Sequence, residues 1–189
     1  MYFCRICRVS VLSVLFLFLL VVIIFSVNNN NDTNNNSAIV LPKGTKTIED
    51  GTYVIKSSIN QKYVLDVLGA SKENGANVQL YEYSADNQKR FKVKYLGEGY
   101  YSIIAVHSNK AIDVKDGSKQ KGANVWQWEQ NGTDAQKWII KEAGGGYYSI
   151  ISKCNGLYMD VTNASANNFT NMQMCDGNGL NAQKFIFEN

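Results

Sequence analysis

The sequence predicts an all-β domain of three repeats, each about 47 residues long, behind one apolar N-terminal segment long enough to cross a membrane. Three observations carry this: landmarks that recur at a fixed interval, a strand-like texture between turn residues, and an abrupt change of composition near the start. Hydrophobic residues make up 45% of the 189 residues and charged residues 19%, so the bulk of the chain can bury a core.

From Val9 to Val27 there are 19 residues without a charge, dominated by Leu, Val, Ile and Phe. As a helix rising about 1.5 Å per residue they reach roughly 28 Å, enough to span the hydrocarbon core. The run is longer than the apolar stretch of a secretory signal and lacks a small-residue cleavage site, so an uncleaved signal anchor is expected over a cleaved, secreted product. Arg5 and Arg8 precede it and no acidic residue does. The positive-inside rule then leaves residues 1–8 as a short cytoplasmic tail and places everything beyond 9–27 outside. Residues 28–45 read as an Asn-rich linker, with seven asparagines between Asn28 and Asn36 and the single proline, Pro42, at the far end. The globular domain is residues 46–189.

Within that domain Gly51-Thr-Tyr-Val-Ile recurs as Gly99-Tyr-Tyr-Ser-Ile and Gly146-Tyr-Tyr-Ser-Ile. Asp66, Asp113 and Asp160 share one interval, each followed by Val, and so do Asn77, Asn124 and Asn171 and the aromatics Phe91, Trp138 and Phe185. The repeats therefore run over about 51–98, 99–145 and 146–189. In the first, strands are expected around Tyr53–Ile55, Tyr63–Val67, Val78–Tyr83 and Phe91–Tyr95, where β-branched and aromatic residues alternate with polar ones. Three units of four strands suit a pseudo-threefold barrel capped by hairpins, whose closure removes exposed sheet edges; a propeller needs at least about four blades.

Gln136-Lys137-Trp138 and Gln183-Lys184-Phe185 resemble the Gln-x-Trp signature of ricin B-type lectin repeats, and Gly122-Ala-Asn-Val-Trp-Gln-Trp resembles the strand that precedes it in that family. The resemblance covers about Gly51 to Asn189. It implies a β-trefoil and carbohydrate binding, with galactose-type glycans as the partner class by family analogy alone.

Sugar rings offer an apolar C–H face and a rim of hydroxyls, so a shallow site needs an exposed aromatic beside carboxylate and amide groups. Strand alternation sends Val78 and Leu80 to the core and Gln79 and Tyr81 outward, and turns Trp126 and Trp128 away from Val125. Carrying the family pattern over, repeat 1 offers Asp66, Gln79, Tyr81 and Asn87, and repeat 2 offers Asp113, Trp128 and Asn131. Repeat 1 reads as having an extra residue, with Gln88 standing three before Phe91; in repeat 2 Ala135 precedes the Gln, so the amide is taken from Asn131. Asp160 is expected to be structural, because Cys175 stands where repeats 1 and 2 have Tyr81 and Trp128. Phe91, Trp138 and Phe185 are assigned to the core, and Gln136 and Gln183 to structural hydrogen bonds.

Catalysis is not expected. His107 is the single histidine, at a place where the other repeats have ordinary hairpin residues, and the repeated aspartates belong to separate lobes rather than flanking one cleft. No metal-ligand cluster, cofactor motif or phosphate-cradling loop is evident. From residue 46 onward there are 16 basic and 15 acidic residues, a balance that offers no footprint for nucleic acid. The alternative functions are a protein-interaction or adhesion subunit with vestigial sugar sites, and an accessory module for a separate glycosidase. Cys4 and Cys7 lie on the cytoplasmic side; Cys154 and Cys175, in the exported domain, are a candidate disulfide. Asn31, Asn35, Asn131, Asn163 and Asn168 begin Asn-x-Ser/Thr triplets, and a glycan on Asn131 would crowd the Trp128 site.

Overall fold

The computed structural model describes residues 46–189. The cytoplasmic tail, apolar span and linker expected over 1–45 lie outside the described residues; among those described, no helix is long and apolar enough to cross a membrane.

Each repeat supplies four strands, as its period-two pattern requires. They are β1 (Gly51–Ser57), β2 (Tyr63–Val67), β3 (Val78–Glu82) and β4 (Phe91–Gly97), then β5 (Tyr100–Ala105), β6 (Ala111–Val114), β7 (Val125–Trp128) and β8 (Trp138–Glu142). Repeat 3 gives β9 (Tyr148–Ser152), β10 (Tyr158–Val161), β11 (Thr170–Cys175) and β12 (Phe185–Glu188). The outer strands of the repeats close a six-stranded antiparallel ring in the order β1, β4, β5, β8, β9, β12 and back to β1. The inner strands form three hairpins, β2–β3, β6–β7 and β10–β11. This is a β-trefoil. Closure leaves the barrel strands no free edge, which a sheet of this length otherwise exposes to aggregation.

The three closing aromatics Phe91, Trp138 and Phe185 are fully buried, together with Leu65, Leu80, Ile112, Met172 and Met174. The Trp138 indole donates to the Ile112 carbonyl at 3.0 Å, so its one polar atom is satisfied inside the core. Truncating any of these aromatics to Ala would cost about 3–5 kcal/mol.

The hairpins meet around the pseudo-threefold axis through three asparagines. Asn124 Nδ2 donates to Asn77 Oδ1 at 2.8 Å, Asn77 Nδ2 to Asn171 Oδ1 at 2.8 Å, and Asn171 Nδ2 to Asn124 Oδ1 at 2.9 Å, a closed ring of amides. Each of these asparagines also bridges backbone to the following repeat: Asn77 to Trp126, Asn124 to Gln173 and Asn171 to Gln79. The interlocking seats each hairpin's outer face beside a loop of its neighbour, and that junction is where the candidate sites lie.

Candidate functional site

Asp66, Asp113 and Asp160 sit near the ends of β2, β6 and β10, where Val67, Val114 and Val161 turn into the core and the carboxylates face the other way. All three are buried, with 4–6% of their surface exposed. A buried carboxylate must be met by hydrogen-bond donors. In each repeat the first donor is the residue directly opposite on the paired strand: Gln79 Nε2 to Asp66 at 2.9 Å, Trp126 Nε1 to Asp113 at 2.8 Å, Gln173 Nε2 to Asp160 at 3.2 Å. Gln79 therefore stands at the floor of its cleft rather than out in solvent. Alternation does place it on the non-core face, but there it shares the face with Asp66 and is itself buried at 3% exposure, so it holds the carboxylate rather than facing solvent.

What completes each carboxylate differs. In repeat 2, Asp113 Oδ1 takes the Trp126 indole, while the Gln136 amide, whose Nε2 donates to the Glu129 carbonyl, stands nearby and assists it more weakly. Burial pushes the Asp113 carboxyl above the usual carboxylate range, opposed by the Trp126 indole and the nearby Gln136 amide. Around it opens a cleft of about 410 Å³ lined by Trp126, Trp128, Asn131, Asp116, Lys119 and Cys154, among others. Trp126 and Trp128 alternate outward on β7, half-buried, and stack on each other with centroids 4.9 Å apart and planes 24° apart. Lys115 lies over the far ring, 5.4 Å from the Trp126 centroid. Asn131 is at the rim, where its Oδ1 accepts the Thr133 N–H at 3.0 Å in a local turn. Gln136 ties that loop down, donating to the Glu129 carbonyl at 2.8 Å and accepting the Asn131 N–H at 3.0 Å, the structural part expected of it.

In repeat 1 the place of Gln136 is taken by Lys89. The interval from Asp66 to Phe91 equals that from Asp113 to Trp138, and Asn87–Lys89 forms the same 3₁₀ turn as Asp134–Gln136, so there is no extra residue here. The Lys89 ammonium is buried with Asp66, 3.3 Å from Oδ1, reaches Asp86 at 3.5 Å, and lies 5.1 Å from the Tyr81 ring centroid. Asn87 is corrected with it: it is exposed at the head of the turn and does not line the cleft, whereas Asp86 and Gln88 on either side do. That cleft, about 360 Å³, also holds Asp66, Gln79, Tyr81, Leu68 and Phe169.

In repeat 3 both oxygens of Asp160 are taken, one by Gln173 and the other by Gln183 Nε2 at 3.0 Å. The cross-strand pair that is Val64 and Tyr81 in repeat 1, and Ala111 and Trp128 in repeat 2, is Tyr158 and Cys175 here. The aromatic has crossed to the partner strand, where its half-buried ring lies close over Gly177. The candidate disulfide is not formed: both thiols are free, with Cys175 on β11 paired to Tyr158 on β10, and Cys154 in the turn after β9, where it accepts a hydrogen bond from Ser152 Oγ at 3.2 Å. His107 is occupied by a loop contact, Nε2 donating to the Ser71 carbonyl at 2.8 Å. Among the described residues no group of three or more His, Cys, Asp or Glu side chains could hold a metal ion.

The ricin-type β-trefoil lectin domain-like family matches residues 40–103 and 86–175. The chain belongs to the ricin-type β-trefoil lectin family. Among solved structures, this lectin domain resembles a designed threefold-symmetric protein, ThreeFoil, at 36% identity and a TM-score of 0.72, covering 74% of this chain and 99% of that one. It also resembles part of 1,3Gal43A, an exo-β-1,3-galactanase from Clostridium thermocellum, at 31% identity and a TM-score of 0.70, covering 72% of this chain but only 30% of the enzyme. The ricin B-like lectin of Macrolepiota procera, solved with lactose, shares the fold at 15% identity and a TM-score of 0.65, covering 77% of this chain and 99% of that one. No curated protein sequence matches the chain significantly.

Three residues of the lectin clefts were not in the sequence-derived set. Trp126 was recognised as outward but not as the donor to Asp113. Lys89 occupies the glutamine position of the other repeats, which the neighbouring Gln88 masks. Phe169, from another repeat altogether, carries no local motif; its one signal was its place in register with Gly75 and Gly122.

Proposed function

We propose that this chain is a non-catalytic carbohydrate-binding lectin, displayed outside the cell on the 9–27 signal anchor, with the repeat-2 cleft as its principal site. The observation that carries the reading is the Asp113 carboxylate with accepting capacity to spare, beside the half-buried Trp126–Trp128 pair in an open cleft. A hydroxyl pair of a sugar donates to the carboxylate while the C–H face lies on indole, and the Asn131 amide reaches a further hydroxyl at the rim. A ring that loses its aromatic partner loses the dispersion contact and is left with hydrogen bonds that water makes as well.

Galactose-type glycans are the first ligands to try. The Macrolepiota lectin was solved with lactose, and a related Polyporus squamosus lectin with a sialylated galactose epitope. The purified full chain, titrated with lactose and screened on a glycan array, is expected to bind at the millimolar to micromolar level, about 4–8 kcal/mol. Trp128→Ala and Asp113→Asn should each remove most of that binding. An array on which no sugar is retained would end the carbohydrate reading.

The topology is tested separately. Protease added to intact cells should release the lectin domain, and the anchor should stay with the membrane. A mature N-terminus near Asn28 would show a cleaved, secreted product instead.

A further inference from the structure

Three loops at the hairpin junctions carry equivalent residues, Gly75, Gly122 and Phe169. All three have left-handed backbone, with φ of +82° and +78° at the glycines and +69° at Phe169. Glycine adopts this conformation freely, whereas a bulky aromatic is strained there. Burial does not offset that strain, because 63% of the Phe169 surface is exposed. The conformation is held by its neighbours: the Phe169 N–H donates to the Leu80 carbonyl at 2.9 Å, and Asn168 Oδ1 accepts the Glu82 N–H at 2.7 Å. The loop of repeat 3 is thus bolted to β3, the strand that carries Gln79 and Tyr81.

Its ring lines the repeat-1 cleft, edge to face with Tyr81 at 5.1 Å between centroids and 82° between planes. Tyr81 is half-buried and has Lys89 against its ring, so Phe169 is the more open aromatic in that cleft. The arrangement in repeat 2 explains the need. There the second aromatic is Trp126, on the repeat's own strand, and the loop residue against it is Gly75, where even a Cβ would come within 3.5 Å of the Trp126 ring. Repeat 1 has Gln79 at the Trp126 position and so has room for a ring lent by its neighbour.

We propose that Phe169 is the ligand-contacting aromatic of the repeat-1 cleft, which is therefore a composite site shared by repeats 1 and 3 and directed at the apolar face of a sugar ring. The assignment rests on the carbohydrate reading above, and its ligand class is the same. An exposed aromatic on strained backbone, whose ring meets only the exposed side of Tyr81, leaves stability nearly level when removed, because relief of the strain offsets that one contact; one that contacts ligand leaves affinity reduced.

The test uses the full chain in a Trp128→Ala background, which isolates repeat 1, with an array of galacto-, gluco- and manno-configured disaccharides as the probe and titration of the strongest binder. Phe169→Gly should lower affinity at least tenfold while Tm stays level or rises, because the glycine relieves the left-handed backbone. Phe169→Leu, which keeps an apolar side chain without a flat face, should show a similar loss of affinity. Unchanged affinity in Phe169→Gly overturns the assignment, as does loss of affinity accompanied by a fall in Tm. Binding by the parent chain that vanishes entirely in Trp128→Ala overturns the composite site while sparing the lectin reading, and no binding by the parent overturns both.

Discussion

Repeats 2 and 3 have the same four strands, the same buried aspartate and the same glutamine latch, yet one presents an open site and the other a closed one. In repeat 2 the Asp113 carboxylate is met by one indole N–H and the aromatics stand on β7; in repeat 3 two glutamine amides cover Asp160 and the aromatic has moved to β10. The difference teaches that binding capacity here is what remains after the carboxylate's internal demands are met. Repeat 3 spends its aspartate on its own stability, whereas repeat 2 leaves a charge under-coordinated and holds it for a ligand.

The largest effect expected from breaking this contrast is on stability in repeat 3. Gln183 donates to Asp160 and to the Asp176 carbonyl and accepts the Asn178 N–H. Gln183→Ala should cost about 3 kcal/mol by denaturant unfolding, since it strips a buried carboxylate and two backbone groups of partners. Gln136→Ala, whose amide donates to the Glu129 carbonyl and only assists Asp113 from nearby, should cost clearly less; equal losses would mean that the two latches do the same job.

Next in size is affinity. Trp128→Ala should weaken the repeat-2 site at least tenfold, about 1.4 kcal/mol, in calorimetric titration. Cys175→Ala should leave lactose affinity as it was, and a comparable loss there would place a site in repeat 3.

A smaller, opposite-signed effect is expected at Asp113. Its folded-state pKa is raised by burial, so its contribution to stability is present below the unfolded pKa and is lost as pH rises through the folded one. At neutral pH the ionised Asp113 is a cost, and Asp113→Asn should hold or raise Tm at pH 7 while abolishing repeat-2 binding. On acidification, wild-type binding at this cleft should fail above the usual carboxylate range, as the acceptor becomes protonated. A Tm drop in Asp113→Asn would contradict the under-coordinated carboxylate.

The smallest effect sharpens the rule itself. Restoring the aromatic on β11 with Tyr158→Ala and Cys175→Trp should confer no binding on repeat 3, because Asp160 remains covered. If the double variant gains a site, the platform alone governs binding and the coordination of the aspartate does not.

The fold was legible because closing a barrel from repeats imposes one register on every landmark: Asp66, Asn77 and Phe91 recur with the interval that the strand pairing later requires. The outward tryptophans were legible too, since alternation along a strand is local. Exposure was not. Gln79 faces the non-core side as expected, yet whether that side is open depends on Asp66 across the ladder. Lys89 is obscured because the pair Gln88-Lys89 matches Gln136-Lys137 in identity but stands one place out of the repeat interval. Phe169 acts on a repeat far away in sequence, and only the threefold packing reveals which cleft it serves.

The ring of Asn77, Asn124 and Asn171 sets a condition of another kind on how the three repeats can diverge. Each amide donates in the same rotational sense, so turning one over opposes its NH₂ to the next NH₂ and its oxygen to the previous oxygen. The ring is therefore right as a whole or broken at two contacts, and a substitution in one repeat is felt equally by the other two. Away from the axis the repeats have gone separate ways, to two tryptophans, to a borrowed phenylalanine, to a covered aspartate. At the axis they have no such freedom: three sites that differ in chemistry share a single vote on whether the cap that carries them stays closed.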